Sequence, residues 1–155
     1  MLPDRKRIRL DHSVYETSGQ YFSITINTHN KLKLFDNAGV ACLVVKLIQG
    51  SYLSQVAELS VFCLMPNHLH LLISPVSRSL VDVVQLWKSY SAKILNHELH
   101  RHGSVWQRSF FDHALRKEED VFNVARYILE NPVRKGLVKN WAEYPYSWCE
   151  WFERK

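Results

Sequence analysis

His68 and His70 stand either side of Leu69 in the stretch MPNHLHLLI, residues 65–73. Along a strand, side chains alternate faces, so positions i and i+2 point the same way. A strand here aims both imidazoles at one point and buries Leu69 behind them. Neutral imidazoles held side by side are good ligands for a divalent metal. Alone, a His-x-His pair is also an ordinary polar face of a half-buried strand, and short motifs match by chance. Farther along, Tyr127 and Asn131 are spaced i and i+4 in YILENP. On a helix they share a face. Each alone is unremarked: a helix-surface tyrosine, and a helix-end residue before Pro132. Together with the histidines they form a chemical set. Two imidazoles and an amide oxygen make an incomplete shell for Mg2+ or Mn2+, with positions left for water and phosphate oxygens. Such an ion acts as a Lewis acid on the phosphate. A tyrosine one helical turn from the ligand can attack phosphorus and form a covalent intermediate.

Composition bounds what can carry this chemistry. The chain has 155 residues, enough for one domain with one core. A hydrophobic content of 46% fits a packed fold rather than disorder. Lys plus Arg number 20 against 15 Asp plus Glu, a net charge of +5 that favours a polyanionic partner. No long apolar run spans a membrane. The opening MLPDRKRIRL has charge but no apolar core of a signal peptide. Cys42, Cys63 and Cys149 are far apart and without a CxxC pair, which reads as reduced thiols of a cytoplasmic protein rather than a zinc site.

The elements follow from periodicity. Residues 1–19 form a basic N-terminal arm. Residues 20–28, QYFSITINT, alternate polar and apolar as a strand with one buried face. Asp36 or Asn37 caps a helix that runs to Gly50, with Val40, Leu43, Val44, Leu47 and Ile48 at helical spacing. Residues 55–64 and 68–74 form a hairpin about Met65-Pro66-Asn67. Ser79 caps a second long helix over 80–101, and Gly103 follows it. His97, His100 and His102 near its end read as surface residues. Residues 110–116 form a fourth strand. Glu118, Glu119 and Asp120 suit the start of a third helix that ends before Pro132. Residues 139–155 are an aromatic tail without clear periodicity that packs back on the body. The order βαββαβ plus a helix predicts an α+β, ferredoxin-like fold: an antiparallel four-stranded sheet with an added C-terminal catalytic helix. Two helices cover one face, and the other is left for function and the third helix.

At this point the chain resembles the single-tyrosine HUH transposases of small insertion sequences, and among them the REP-associated tyrosine transposases. The carrying motifs are YFSIT (21–25), CLMPNHLHLLISP (63–75), VWQRSFFDHALRKEED (105–120), YILENPVRKGLV (127–138) and YPYSW (144–148). The resemblance implies a ferredoxin-like fold and metal-dependent cleavage and rejoining of single-stranded DNA at palindromic hairpins, through a 5′-phosphotyrosine and a free 3′-hydroxyl. It implies that His68 and His70 hold the metal, that Tyr127 is the nucleophile, and that Asn131 is the third ligand. The wider family often has glutamine at that place. This chain also departs from the family before its first strand, where Thr17-Ser18-Gly19-Gln20 replaces a common Pro-Gly, and after it, where Asn30-Lys31 replaces an arginine.

Arg5, Arg7, Arg9, Lys88, Lys93, Arg108, Arg116 and Arg134 are the candidate phosphate contacts, each weighed against a plain solvated charge. Trp106 could stack on a base, but the core is the favoured place for it. The competing reading is a catalytically silent nucleic-acid-binding module, since four-stranded sheets of this plan also serve in RRM domains. That reading needs exposed aromatics on the third strand, where His68 and His70 stand instead. The partner expected is a single-stranded DNA hairpin. Either a monomer or a homodimer fits, and the aromatic tail favours the monomer.

Overall fold

The computed structural model describes residues 19–116 and 120–154. The basic arm with Arg5, Arg7 and Arg9, and the acidic pair Glu118 and Glu119, lie outside the described residues. The elements are β1 (Phe22–Asn27), α1 (Ala38–Gln49), a short α2 (Ser51–Ser54), β2 (Ala57–Met65), β3 (His68–Pro75), α3 (Leu80–Glu98), β4 (Phe111–Ala114), α4 (Val121–Leu129), a short α5 (Asn131–Arg134) and β5 (Ser147–Cys149). The order and faces match the ferredoxin-like expectation, with one correction. The sheet has five strands in the order β4-β1-β3-β2-β5, and every pairing is antiparallel. The fifth strand comes from the aromatic tail, which pairs Val61 with Cys149 and Cys63 with Ser147. A three-residue strand shows too little alternation to be seen in a sequence.

Two cores flank the sheet. On one side Phe22, Ile24, Ile26, Phe62, Leu64, Leu69, Leu71 and Ile73 meet the apolar stripes of α1 and α3. The two buried indoles there keep their polar handles satisfied, as buried tryptophans require. Trp87 Nε1 donates to the Leu47 carbonyl at 3.1 Å, and Trp106 Nε1 donates to Ser91 Oγ at 2.9 Å. Trp106 is thus a core residue. On the other side Val61, Cys63, Met65 and Leu72 meet Ala125, Ile128 and Leu129 of α4.

A bulge between Leu59 and Val61 sets this division on β2. Before it Ala57 and Leu59 face α1; after it Phe62 and Leu64 do, so odd positions change sides. One extra residue in a strand has that effect. The capping signals were read correctly. Asn37 Oδ1 accepts from Val40 N at 3.1 Å, Ser79 Oγ from Asp82 N at 3.2 Å, and Asp120 Oδ1 from Phe122 N at 2.9 Å.

The tail closes over the second core. Tyr144 is buried and its hydroxyl donates to the Leu64 carbonyl, while Leu64 N donates to the Tyr146 carbonyl at 2.8 Å. Arg154 donates to the carbonyls of Ala142 at 3.1 Å and Tyr144 at 2.8 Å, and to that of Ser147. Phe122 of α4 packs edge-on to Trp151, with ring centroids 5.1 Å apart. Removing the Tyr144 hydroxyl leaves a buried carbonyl one partner short. We predict that Tyr144→Phe lowers the unfolding free energy by about 0.5–1.5 kcal/mol, measured by urea titration; an unchanged midpoint would show the hydrogen bond to be idle.

Candidate active site

β3 is the central strand, so both of its faces are covered. Leu69, Leu71 and Ile73 point into the first core and Leu72 into the second. His68 and His70 share the parity of Leu72 and so stand on the α4 side of the sheet. Their rings are perpendicular, with centroids 4.7 Å apart. His68 Nδ1 lies 2.7 Å from Asn67 Oδ1, and His70 Nδ1 lies 3.0 Å from Oγ1 of Thr25, its cross-strand partner on β1. His70 Nε2 is buried and has no hydrogen-bond partner.

Both imidazoles are held neutral. Burial, then the charges of Lys135 and Lys31, bring His68 down to about 4. Burial, then the neighbouring His68 and Arg134, bring His70 down to about 3. A neutral imidazole offers one ring nitrogen as a lone-pair donor. The orphaned, buried Nε2 of His70 is such an atom, and ordinary structural histidines rarely leave one. The pair therefore fits a cation better than it fits a plain core. Among the described residues no group of three His, Cys, Asp or Glu side chains could hold a metal, so a further protein ligand has to be of another type.

Tyr127 is 61% exposed on the outer face of α4, as its place opposite the apolar stripe predicts. The helix itself differs from expectation. It stops at Leu129, and a further turn, α5, follows with Pro132 near its start. Proline is tolerated there because the first helical amides lack partners anyway. Gly136, at φ +73°, ends α5, and Leu137 N bonds back to the Pro132 carbonyl at 2.9 Å. The break leaves Glu130 in helical backbone, so Tyr127 and Asn131 remain one turn apart. Both α4 and α5 pack on β2.

The structure brings Tyr127, Asn131 and Arg134 into one cluster. The Arg134 guanidinium lies 3.9 Å from the centroid of the Tyr127 ring. Its Nη2 donates to the Tyr127 carbonyl at 2.7 Å and to Asn131 Oδ1 at 2.9 Å. Asn131 Nδ2 donates to the Ile128 carbonyl at 3.0 Å. The histidine pair and this cluster lie on the same face of the sheet, and the charges of Arg134 and Lys135 act on the imidazoles across the gap.

The family model for IS200-like transposases matches residues 16–131, a span that includes both histidines, Tyr127 and Asn131. The chain belongs to that transposase family. The REP-associated tyrosine transposase of Escherichia coli strain K12 is 28% identical over 92 residues, covering 58% of this chain and 53% of its own length. A Haemophilus influenzae protein assigned to the same kind of transposase is 28% identical over 101 residues, covering 58% of this chain and 57% of its own. This transposase chain thus spans little more than half the length of either relative. Among solved structures, a REP-associated tyrosine transposase bound to a REP hairpin superposes with a TM-score of 0.69 at 22% identity, over 92% of this chain and 81% of that one. That likeness is one of fold.

The other sequence candidates fall in varied places. Lys88 Nζ donates to the carbonyls of Gln107 and, at 3.4 Å, Ser109, and so staples the 104–109 loop to α3. Lys93, Arg108 and Arg116 are exposed. Arg108 lines a cavity of about 330 Å³ with Gln85, Lys88, Ser104 and Gln107. Thr25, Lys31 and Lys135 were not singled out from sequence. Thr25 becomes visible only through register; the two lysines become visible once both turns flanking the histidines are placed. No described helix is long and apolar enough to cross a membrane.

Neutral burial of the imidazoles has a pH signature. In the unfolded chain a histidine takes up a proton near pH 6.5, whereas the folded site resists until about 4 or 3. The unfolded state therefore binds more protons in that interval, and stability falls as pH falls. We predict that the melting temperature of chelator-treated protein drops between pH 7 and pH 4, and that His70→Gln drops less. Parallel pH curves for the two proteins, recorded by calorimetry, would remove His70 from this account.

Proposed function

We propose that this chain is a single-tyrosine HUH endonuclease and strand transferase that cuts and rejoins single-stranded DNA at palindromic hairpins. The observation that carries the reading is the orphaned lone-pair nitrogen of a neutral histidine pair on the sheet face that also carries an exposed tyrosine. Family membership and the likeness to a hairpin-bound transposase support it.

His68 and His70 hold one divalent cation, Mg2+ or Mn2+, with Asn131 Oδ1 as the third protein ligand. A carbonyl oxygen has two lone pairs, so Oδ1 can keep its bond to Arg134 and still face a cation. When bound, the ion polarises the scissile phosphate and orients it. Thr25 supports His70 from behind, at Nδ1, and Asn67 supports His68 in the same way. Tyr127 Oη attacks phosphorus. The Tyr–O–P bond forms and the P–O3′ bond breaks. The phenol gives up its proton, and the leaving 3′ oxygen takes one to become a hydroxyl. The 5′-phosphate stays on the tyrosine as an ester, so a 3′-hydroxyl can reverse the step and join a new strand. DNA phosphates meet Lys93, Arg108 and Arg116, with the arm residues Arg5, Arg7 and Arg9 as further contacts; Lys88 serves mainly as a staple. The net charge of +5 makes binding fall as salt rises.

Two experiments test this reading. With Mn2+ and a labelled single-stranded hairpin, wild type is expected to form a covalent band in denaturing electrophoresis, and a perfect duplex to give little. Tyr127→Phe is expected to bind the hairpin and melt normally, within about 0.5 kcal/mol, yet give no band; an undiminished band would sink the nucleophile assignment. Calorimetric Mn2+ titration is expected to show weaker binding in His68→Ala, His70→Ala and Asn131→Ala. The histidine changes should be the more severe, because imidazole suits a first-row metal better than an amide does. Equal affinity in all four proteins would end the metal reading.

A further inference from the structure

We propose that Arg134 is a positioning residue of this site: its guanidinium fixes the Tyr127 ring and the Asn131 amide in one arrangement, rather than meeting a DNA phosphate. The inference rests on Tyr127 as nucleophile and Asn131 as ligand. Its evidence is the geometry of a single side chain with two tasks. The plane of the guanidinium covers the tyrosine ring at 3.9 Å. One nitrogen of the same group bonds the Tyr127 carbonyl at 2.7 Å and Asn131 Oδ1 at 2.9 Å.

Each contact removes a freedom that the chemistry cannot tolerate. An exposed tyrosine left alone samples several staggered rotamers, and a solvent-facing amide can turn its oxygen away. The stacked guanidinium selects one ring position. The Asn131 amide is fixed at both ends, since Nδ2 donates to the Ile128 carbonyl at 3.0 Å while Oδ1 accepts from Arg134. Groups that orient a ligand in this way commonly matter nearly as much as the ligand. The fold explains why residue 134 can do it. Pro132 starts a new helical turn, and Gly136 ends it, so Arg134 reaches back over the face that carries Tyr127. The task needs a flat, forked cation; lysine has the charge without the plane or the fork.

Arg134→Lys and Arg134→Ala in the full chain separate positioning from phosphate binding. The first readout needs neither metal nor DNA. In metal-free protein labelled with 3-fluorotyrosine, the residue 127 fluorine resonance is assigned by its loss in Tyr127→Phe. Wild type should place it away from free fluorotyrosine, and both Arg134 variants should move it to the free position. The second readout uses Mn2+ and hairpin DNA. Both variants should form the covalent adduct roughly 10–100-fold more slowly, while hairpin affinity and its salt dependence stay at wild-type values. A phosphate contact predicts the reverse. Lysine would then act like arginine, and alanine would weaken binding and lower the salt slope by about one. The proposal is overturned if Arg134→Lys keeps the wild-type resonance or the wild-type adduct rate. If wild type itself forms no adduct, the nucleophile reading fails, and the fluorine resonance still decides whether Arg134 fixes the ring.

Discussion

Alternation on a strand covered from both sides is the constraint behind everything else in this molecule. β3 is the middle of five strands. Leu69, Leu71 and Ile73 must enter the core under α1 and α3, so His68 and His70 have no choice of face. Burial then removes their charge. Neutral imidazoles on a rigid strand need little rearrangement to accept a cation, which is what pre-organisation means at a metal site.

The second layer is built to keep one helix on that face. α4 has only nine residues, too short to be stable alone. Ala125, Ile128 and Leu129 anchor it to the sheet from below. The tail holds it from the side, through Trp151 against Phe122 and through Tyr144 bonded to β2. Arg126 adds a cationic contact with the Phe152 ring at 5.4 Å. The aromatic tail is therefore part of the scaffold. Its fifth strand lengthens the sheet on the side where the helix needs support.

Much of this was legible in the residues. Alternation at 20–28, helical spacing in α1 and α3, and the hairpin about Pro66-Asn67 gave the plan of the fold. The His-x-His spacing gave the shared face. The unread parts depended on contacts distant in the chain. Thr25 matters because register sets it opposite His70. Arg134 reads as one more surface charge until α5 turns it back. Pro132 reads as a stop, and only the backbone shows that it begins another turn. The sequence holds no sign of the bulge near Ser60, because a run of buried residues on both faces has no visible period.

That bulge has a bearing on how such a chain can drift in length. Ser60 absorbs one residue of phase between the rim of the sheet and its middle. Ahead of it, lengthening or shortening the strand by one disturbs a margin that carries Ala57 and Leu59. Beyond it the hairpin is tight, with Met65 opposite His68, and there is no slack left. A one-residue insertion there would exchange the imidazoles with the leucines, putting nitrogen in the oil and methyl groups at the phosphate. The lineage is thus free to edit one half of the strand and bound to copy the other letter for letter in length.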